Sequence, residues 1–186
     1  MTYRRLRASA LIGLGLLAGC QTYHAIRSNL SSDSPTTCPG AAILVDTASL
    51  PAFDPAKGTD PSSVIYKVAL TDVKTTCFFD KKEKSADARL QFKFHAVRPP
   101  GGAEAHYRVP YFVAVTTGED IPDKKNYWLN VAFDAGATEV DGDGVIQSTI
   151  VPVPKDKQIY DYNLILGFQL TKAQLDYNAK MGQYMP

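Results

Sequence analysis

The chain is poor in the residues that usually advertise chemistry: three cysteines, three histidines and one tryptophan in 186 residues. It holds no CxxC pair, no GxSxG elbow, no HExxH helix and no phosphate-cradling glycine loop. Thiol exchange and the motif-borne hydrolases are therefore without a sequence signature. His24, His95 and His106 are scattered along the chain rather than placed at ligand or triad spacing. Charge of one sign is also missing: 20 Lys+Arg face 19 Asp+Glu, a formal +1. That balance offers no field for nucleic acid or for strong attraction to an anionic surface. Nor is there a long apolar run, since the most continuous, from Ala8 to Gly19, is well short of the roughly 20 residues that span a bilayer as a helix.

What that short run does contain is the layout of an export signal: Arg4, Arg5 and Arg7, then the apolar core, then small residues. It closes on Leu17-Ala18-Gly19-Cys20, which resembles a bacterial lipobox at every position. The resemblance implies cleavage before Cys20, a diacylglyceryl thioether on its sulfur and a further acyl chain, such as palmitate, on its new amino group. Each buried methylene contributes about 0.8 kcal/mol, and two or three chains anchor firmly where one does not. Tyr3-Arg4-Arg5-Leu6 has a twin-arginine look, an alternative export route. Gln21 rather than aspartate follows the cysteine, which favours the outer membrane. Loss of residues 1–19 removes three arginines and no acid, leaving 17 Lys+Arg against 19 Asp+Glu, a formal −2.

Assigning Cys20 to lipid turns an odd cysteine count into a pair, Cys38 and Cys77, in an oxidising compartment. A disulfide is expected, closing a loop of about 40 residues for on the order of 4 kcal/mol. Two separately buried thiols are the alternative. Gln21 to Thr37 is polar and aperiodic and reads as a tether, with a coil reach on the order of 20 to 25 Å. Residues 38–186 are expected to form one β-rich domain.

Within that domain the dominant period is two, that of a half-buried strand. Leu90, Phe92, Phe94 and Ala96 share one face, and Arg89, Gln91, Lys93 and His95 the other. The same alternation groups Tyr107, Val109, Tyr111, Val113 and Val115, then Tyr127, Leu129, Val131 and Phe133, then Tyr160 through Leu170. Shorter strands are expected at 41–46 and 144–153, with turns at Pro99-Pro100-Gly101-Gly102 and Asp141-Gly142-Asp143-Gly144. The apolar parity changes between Leu70 and Val73, which predicts a bulge or bend near 71–73. Seven or eight strands without helical spacers point to an antiparallel β-sandwich of immunoglobulin or fibronectin type, with a closed β-barrel as the alternative. Thr171-Lys172-Ala173-Gln174 is a capping box that predicts a helix over 172–180, placed to cover a sheet edge or to dock a partner.

Candidate sites are fewer. Glu139, Asp141, Asp143 and Gly144 resemble part of a calcium loop, but Ile150 stands where the closing glutamate belongs, so the segment reads as a turn. No metal or other cofactor is expected. The candidate binding surface is Trp128, on a polar strand face, with Tyr111 and Tyr127, although strand periodicity also suits those tyrosines to the core. The mixed clusters Lys81-Lys82-Glu83-Lys84, Asp123-Lys124-Lys125 and Lys155-Asp156-Lys157 read as solvated loop tips, with partner docking as the alternative.

The lipobox, the cysteine pair, Val109-Pro110-Tyr111-Phe112-Val113-Ala114-Val115-Thr116 and the stretch Leu166 to Asn178 together look similar to a group of uncharacterised proteobacterial envelope lipoproteins. The resemblance implies an envelope address and a β-rich domain, and it carries over no catalytic residue. The expectation is a noncatalytic, membrane-anchored binding or assembly module whose partner is another envelope protein. An envelope enzyme or inhibitor acting on peptidoglycan or polysaccharide is the alternative.

Overall fold

Alternation at period two becomes eight strands in the computed structural model, which describes residues 38–181. The expected signal, Cys20 and the tether lie outside the described residues. The strands are β1 (Gly40–Ile43), β2 (Ser49–Phe53), β3 (Val64–Asp80), β4 (Ser85–Val97), β5 (Ala105–Thr117), β6 (Asp120–Phe133), β7 (Glu139–Pro152) and β8 (Tyr162–Phe168). They form two four-stranded sheets, the first ordered β1-β8-β5-β6 and the second β2-β3-β4-β7. All pairings are antiparallel except β1 with β8. The architecture is a β-sandwich and not a closed barrel. It shares the two-layer plan of immunoglobulin-like domains with its own strand order, as sandwich folds commonly do.

The core lies between the sheets and is built from the residues the alternation selects. Val68, Leu70, Leu90 and Phe92 of the second sheet meet Val109, Val115, Val131, Phe133, Leu164, Leu166 and Phe168 of the first, all at 3% exposure or less. Each such side chain contributes roughly 1.5 to 3 kcal/mol by leaving water. The parity change in β3 is a register shift between Leu70 and Asp72, after which Val73, Cys77 and Phe79 take over the inward face. One bent strand thus serves the core along its whole length.

The strands run end to end, so the sandwich has two distinct ends. At one lie the β3–β4 and β5–β6 turns and the β7–β8 loop, whose Val153 N–H donates to the Lys84 carbonyl at 2.7 Å. The same end holds the Cys38–Cys77 disulfide, with Cα atoms 5.6 Å apart, which links the start of β1 in one sheet to β3 in the other. At the opposite end lie the loops 54–63, 98–104 and 134–138. We call these the disulfide end and the loop end.

Two expectations are corrected. The first is Asp141-Gly142-Asp143-Gly144, which is not a turn but the first half of β7, paired in register with Phe92 to His95 of β4. Gly142 and Gly144 point inward beneath the rings of Phe94 and Phe92, and a Cβ at either position would overlap those rings. Aromatic cover of a glycine in a neighbouring strand is a recognised way to fill a sheet without a side chain. The second concerns Tyr160, which sits in a 3-10 turn (Ile159–Asp161) and is 65% exposed rather than on the inward face of β8.

Strand β2 was not legible because Pro51 interrupts its pattern. Its position explains the proline: β2 is the edge of its sheet, so the missing N–H has no ladder partner to lose. The helix α1 (Lys172–Met181) closes that edge. Its capping box is formed, with the Gln174 N–H donating to Thr171 Oγ1 at 3.3 Å and the Thr171 N–H donating to Gln174 Oε1 at 2.9 Å. One turn apart, Gln174 and Asn178 donate to the Pro51 and Ser49 carbonyls at 2.7 and 2.8 Å, and Tyr177 meets Phe53 edge to face. The expected edge-covering role of the helix is what the geometry shows.

The glycine arrangement yields a direct test. Gly144→Ala forces the Phe92 ring from its seat and is expected to lower unfolding free energy by about 1 to 3 kcal/mol, the usual cost of overpacking. Urea denaturation measures it, and the exposed Val145→Ala change is the comparison expected to cost much less.

Candidate interaction surface

The outer face of the first sheet carries Trp128, and the register explains why. Tyr127 and Trp128 are neighbours in β6, so they must point to opposite faces. Tyr127 turns inward and stacks on Tyr111, ring centroids 5.4 Å apart, while Tyr111 is 6% exposed. Trp128 turns outward and is 58% exposed. The three residues do not form one surface: Tyr111 and Tyr127 belong to the core and Trp128 alone faces solvent.

Around Trp128 the register assembles a small platform. Pro110 lies directly across from it on β5, and the Arg108 guanidinium sits 4.8 Å from the indole centroid. Further along the face, Lys124 lies 4.2 Å from the Phe112 ring centroid, and Phe112 is itself nearly buried. Cations over aromatic faces hold the rings and leave their edges presented. The platform is thus an indole flanked by proline and arginine, and tryptophan and arginine are enriched where partners bind.

The outer face of the second sheet is different in kind. Across β3, β4 and β7 it alternates acid and base, with Asp72 and Lys74 at 3.4 Å, Lys93 opposite Asp143, and His95 opposite Asp141. His95 Nδ1 and Asp141 Oδ1 are 2.9 Å apart, so this histidine is paired rather than simply solvated. Shallow depressions of about 330 and 260 Å³ lie between these side chains. The calcium-loop reading fails here, because Glu139, Asp141 and Asp143 lie on an extended strand where alternate residues are about 7 Å apart. Carboxylates so spaced do not wrap an ion. Among the described residues, no three His, Cys, Asp or Glu side chains are grouped to hold a metal.

His106 stands at the start of β5 with Nε2 3.1 Å from Glu104 Oε1, and both side chains are well exposed. Among the described residues, the hydrogen bonds of this pair hold no nucleophile against it. The arrangement of base, nucleophile and orienting group that covalent hydrolysis needs is not assembled there.

One organising residue carried no sequence signal. Arg98, 8% exposed, is the hub of the loop end. Its Nε donates to the Ala137 carbonyl at 2.7 Å, its Nη1 to Ala103 at 2.6 Å, and its Nη2 to Asp134 at 2.7 Å and Gly102 at 3.3 Å. Beneath it lies the Phe133 ring, 4.7 Å from Cζ to centroid. A planar fork with five N–H donors can tie two loops in this way, where an ammonium cannot. Gly102 is needed because a Cβ there would press on the guanidinium. A groove of about 320 Å³ opens beside the fork, lined by Asp54, Lys57, Ile65 and Tyr107 among others. The Asp54 carboxyl is held below its usual range by the Ala56 N–H and then by Lys57.

Compared with known proteins, the chain matches no family model, no curated protein and no solved structure significantly. The functional reading therefore rests on its own residues.

The inward placement of Tyr111 has a pH consequence. Burial, with Tyr127 adding to it, pushes the Tyr111 phenol up to about 12 from 10.0. Burial raises Tyr66 as well. A phenol that holds its proton more tightly when folded contributes stability in full below about pH 10 and loses it as pH rises toward about 12. For Tyr111 the loss is on the order of 2 to 3 kcal/mol. Urea titrations of the wild-type protein and of Tyr111→Phe between these pH values should show the decline reduced in the variant.

Proposed function

We propose that this chain is a bacterial envelope lipoprotein whose folded domain is a noncatalytic binding or assembly module. Residues 1–19 act as the export signal, Cys20 carries the lipid, and Gln21 favours the outer membrane with the domain facing the periplasm. The support for the anchor is the lipobox together with the cysteine count. A disulfide between Cys38 and Cys77 is compatible with an oxidising compartment.

The observation that carries the binding reading is Trp128. Large side chains of this kind are usually withdrawn from water, yet the indole is 58% exposed and braced by Arg108. Burial beneath a partner would recover that apolar area, and tryptophan and arginine are the residue types most often dominant in such contacts. The proposed partner is another envelope protein that seats an apolar pocket on the indole.

Photocrosslinking in native membranes tests this. A photoreactive residue at Asn126, beside Trp128 on the same outer face, should give one discrete protein adduct. Trp128→Ala should then weaken that association about 30-fold or more, the effect of a hot-spot residue worth about 2 kcal/mol, without altering unfolding. Adducts only with abundant neighbours, insensitive to Trp128→Ala, would count against the reading.

A further inference from the structure

We propose that the disulfide end of the sandwich lies on the bilayer surface, so that the loop end faces away from the membrane. This rests on the lipid anchor at Cys20 and adds an orientation to it.

Three observations converge on that end. The three most exposed large apolar side chains among the described residues are Phe78 and Tyr160, each at 65%, and Ile121 at 62%. All three are at the disulfide end: Phe78 two residues before β3 finishes, Tyr160 in the turn before β8, and Ile121 at the start of β6. Ile150, 49% exposed, shares the row of Phe78, since Asp87 pairs with both. They come from three separate connections, so no single strand's periodicity accounts for their gathering.

The second observation is where the chain outside the described residues ends. It enters the domain at Cys38, and the disulfide fixes that point to Cys77, the immediate neighbour of Phe78. Seventeen residues separate Cys38 from Cys20. As a coil they reach on the order of 20 to 25 Å, whereas a strand of 13 residues such as β4 is about 43 Å long. The end that bears Cys38 is therefore the end the anchor holds near the lipid. So short a linkage keeps the local concentration at about millimolar, and a contact of only that strength is populated.

The third is charge. Lys81, Lys82, Lys84, Lys155 and Lys157 at this end are offset by Asp80, Glu83, Glu119, Asp120, Asp156 and Asp161. Attraction to anionic headgroups is thus small, and aromatic and aliphatic side chains seated at the interface make the contact. The bilayer is the occupant that both the chain's entry point and this near-neutral, aromatic-bearing end fit.

The test uses the full-length lipidated protein in vesicles of phosphatidylethanolamine and phosphatidylglycerol, with or without bromine on the acyl chains. In a Trp128→Phe background, Tyr160→Trp reports the disulfide end and Ala135→Trp, at an exposed position in the 134–138 loop, reports the loop end. The expected result is that bromine removes most of the Tyr160→Trp emission and leaves the Ala135→Trp emission intact. Raising the salt should not reverse this, and adding Phe78→Asp with Ile121→Asp should. Equal quenching at both ends, or none at either, in protein that floats with the vesicles would overturn the orientation while leaving the anchor standing. Protein that does not float would overturn the anchor and the orientation together.

Discussion

The Cys38–Cys77 bond is the constraint on which the rest of the arrangement depends. It is a covalent link between the two sheets, joining the entry to β1 with the far part of β3 across 39 residues of sequence. A short strand such as β1, with only four residues and one neighbour, has little hold of its own. Closing a loop of this size removes conformational freedom from the unfolded chain, for on the order of 4 kcal/mol in the chain-entropy account. The bond also determines where the chain outside the domain must emerge. The proposed orientation of the domain on the bilayer follows from that point of exit.

From that fixed point the molecule divides its surfaces by chemistry. The interior takes the aromatic and branched side chains, including the Tyr66–Tyr107 and Tyr111–Tyr127 stacks. The middle of the second sheet's outer face, around Asp72, Lys93 and Asp143, is a ladder of paired charges, a surface that water solvates well and that exposed ion pairs stabilise little. The first sheet's outer face bears the braced indole. At the loop end, Arg98 spends its hydrogen bonds on four backbone carbonyls, holding two loops in one geometry. At the strand edge, α1 covers carbonyls of β2 that would otherwise invite pairing with another chain. On the proposed reading, these are the parts of a tethered module whose anchor side and partner side differ.

What was legible in the sequence is what depends on neighbours two residues apart. The faces of β4 and β5, the parity change in β3 and the helix cap all follow from local spacing, because each is decided by one strand or one turn. What was illegible depends on partners distant in sequence. Asp141-Gly142-Asp143-Gly144 has the local chemistry of a turn, and only the rings of Phe92 and Phe94, about 50 residues earlier, make it a strand. Pro51 hid β2 because its fitness for an edge is a property of the sheet. Arg98 looked like any residue before a Pro-Pro pair, and its cage of carbonyls comes from two loops. The grouping of Tyr111 and Tyr127 with Trp128 is another matter. Adjacent positions 127 and 128 in one strand cannot share a face, so the period already separated them.

The central claim is a disulfide-closed β-sandwich carried on an acylated cysteine, and intact mass spectrometry of the protein extracted from membranes without reductant addresses it most directly. The account predicts a chain that begins at Cys20, carries the mass of a diacylglyceryl group and a further acyl chain, and is lighter by two hydrogens for the Cys38–Cys77 bond. A chain that retains residues 1–19, an unmodified Cys20, or free thiols at Cys38 and Cys77 would contradict it.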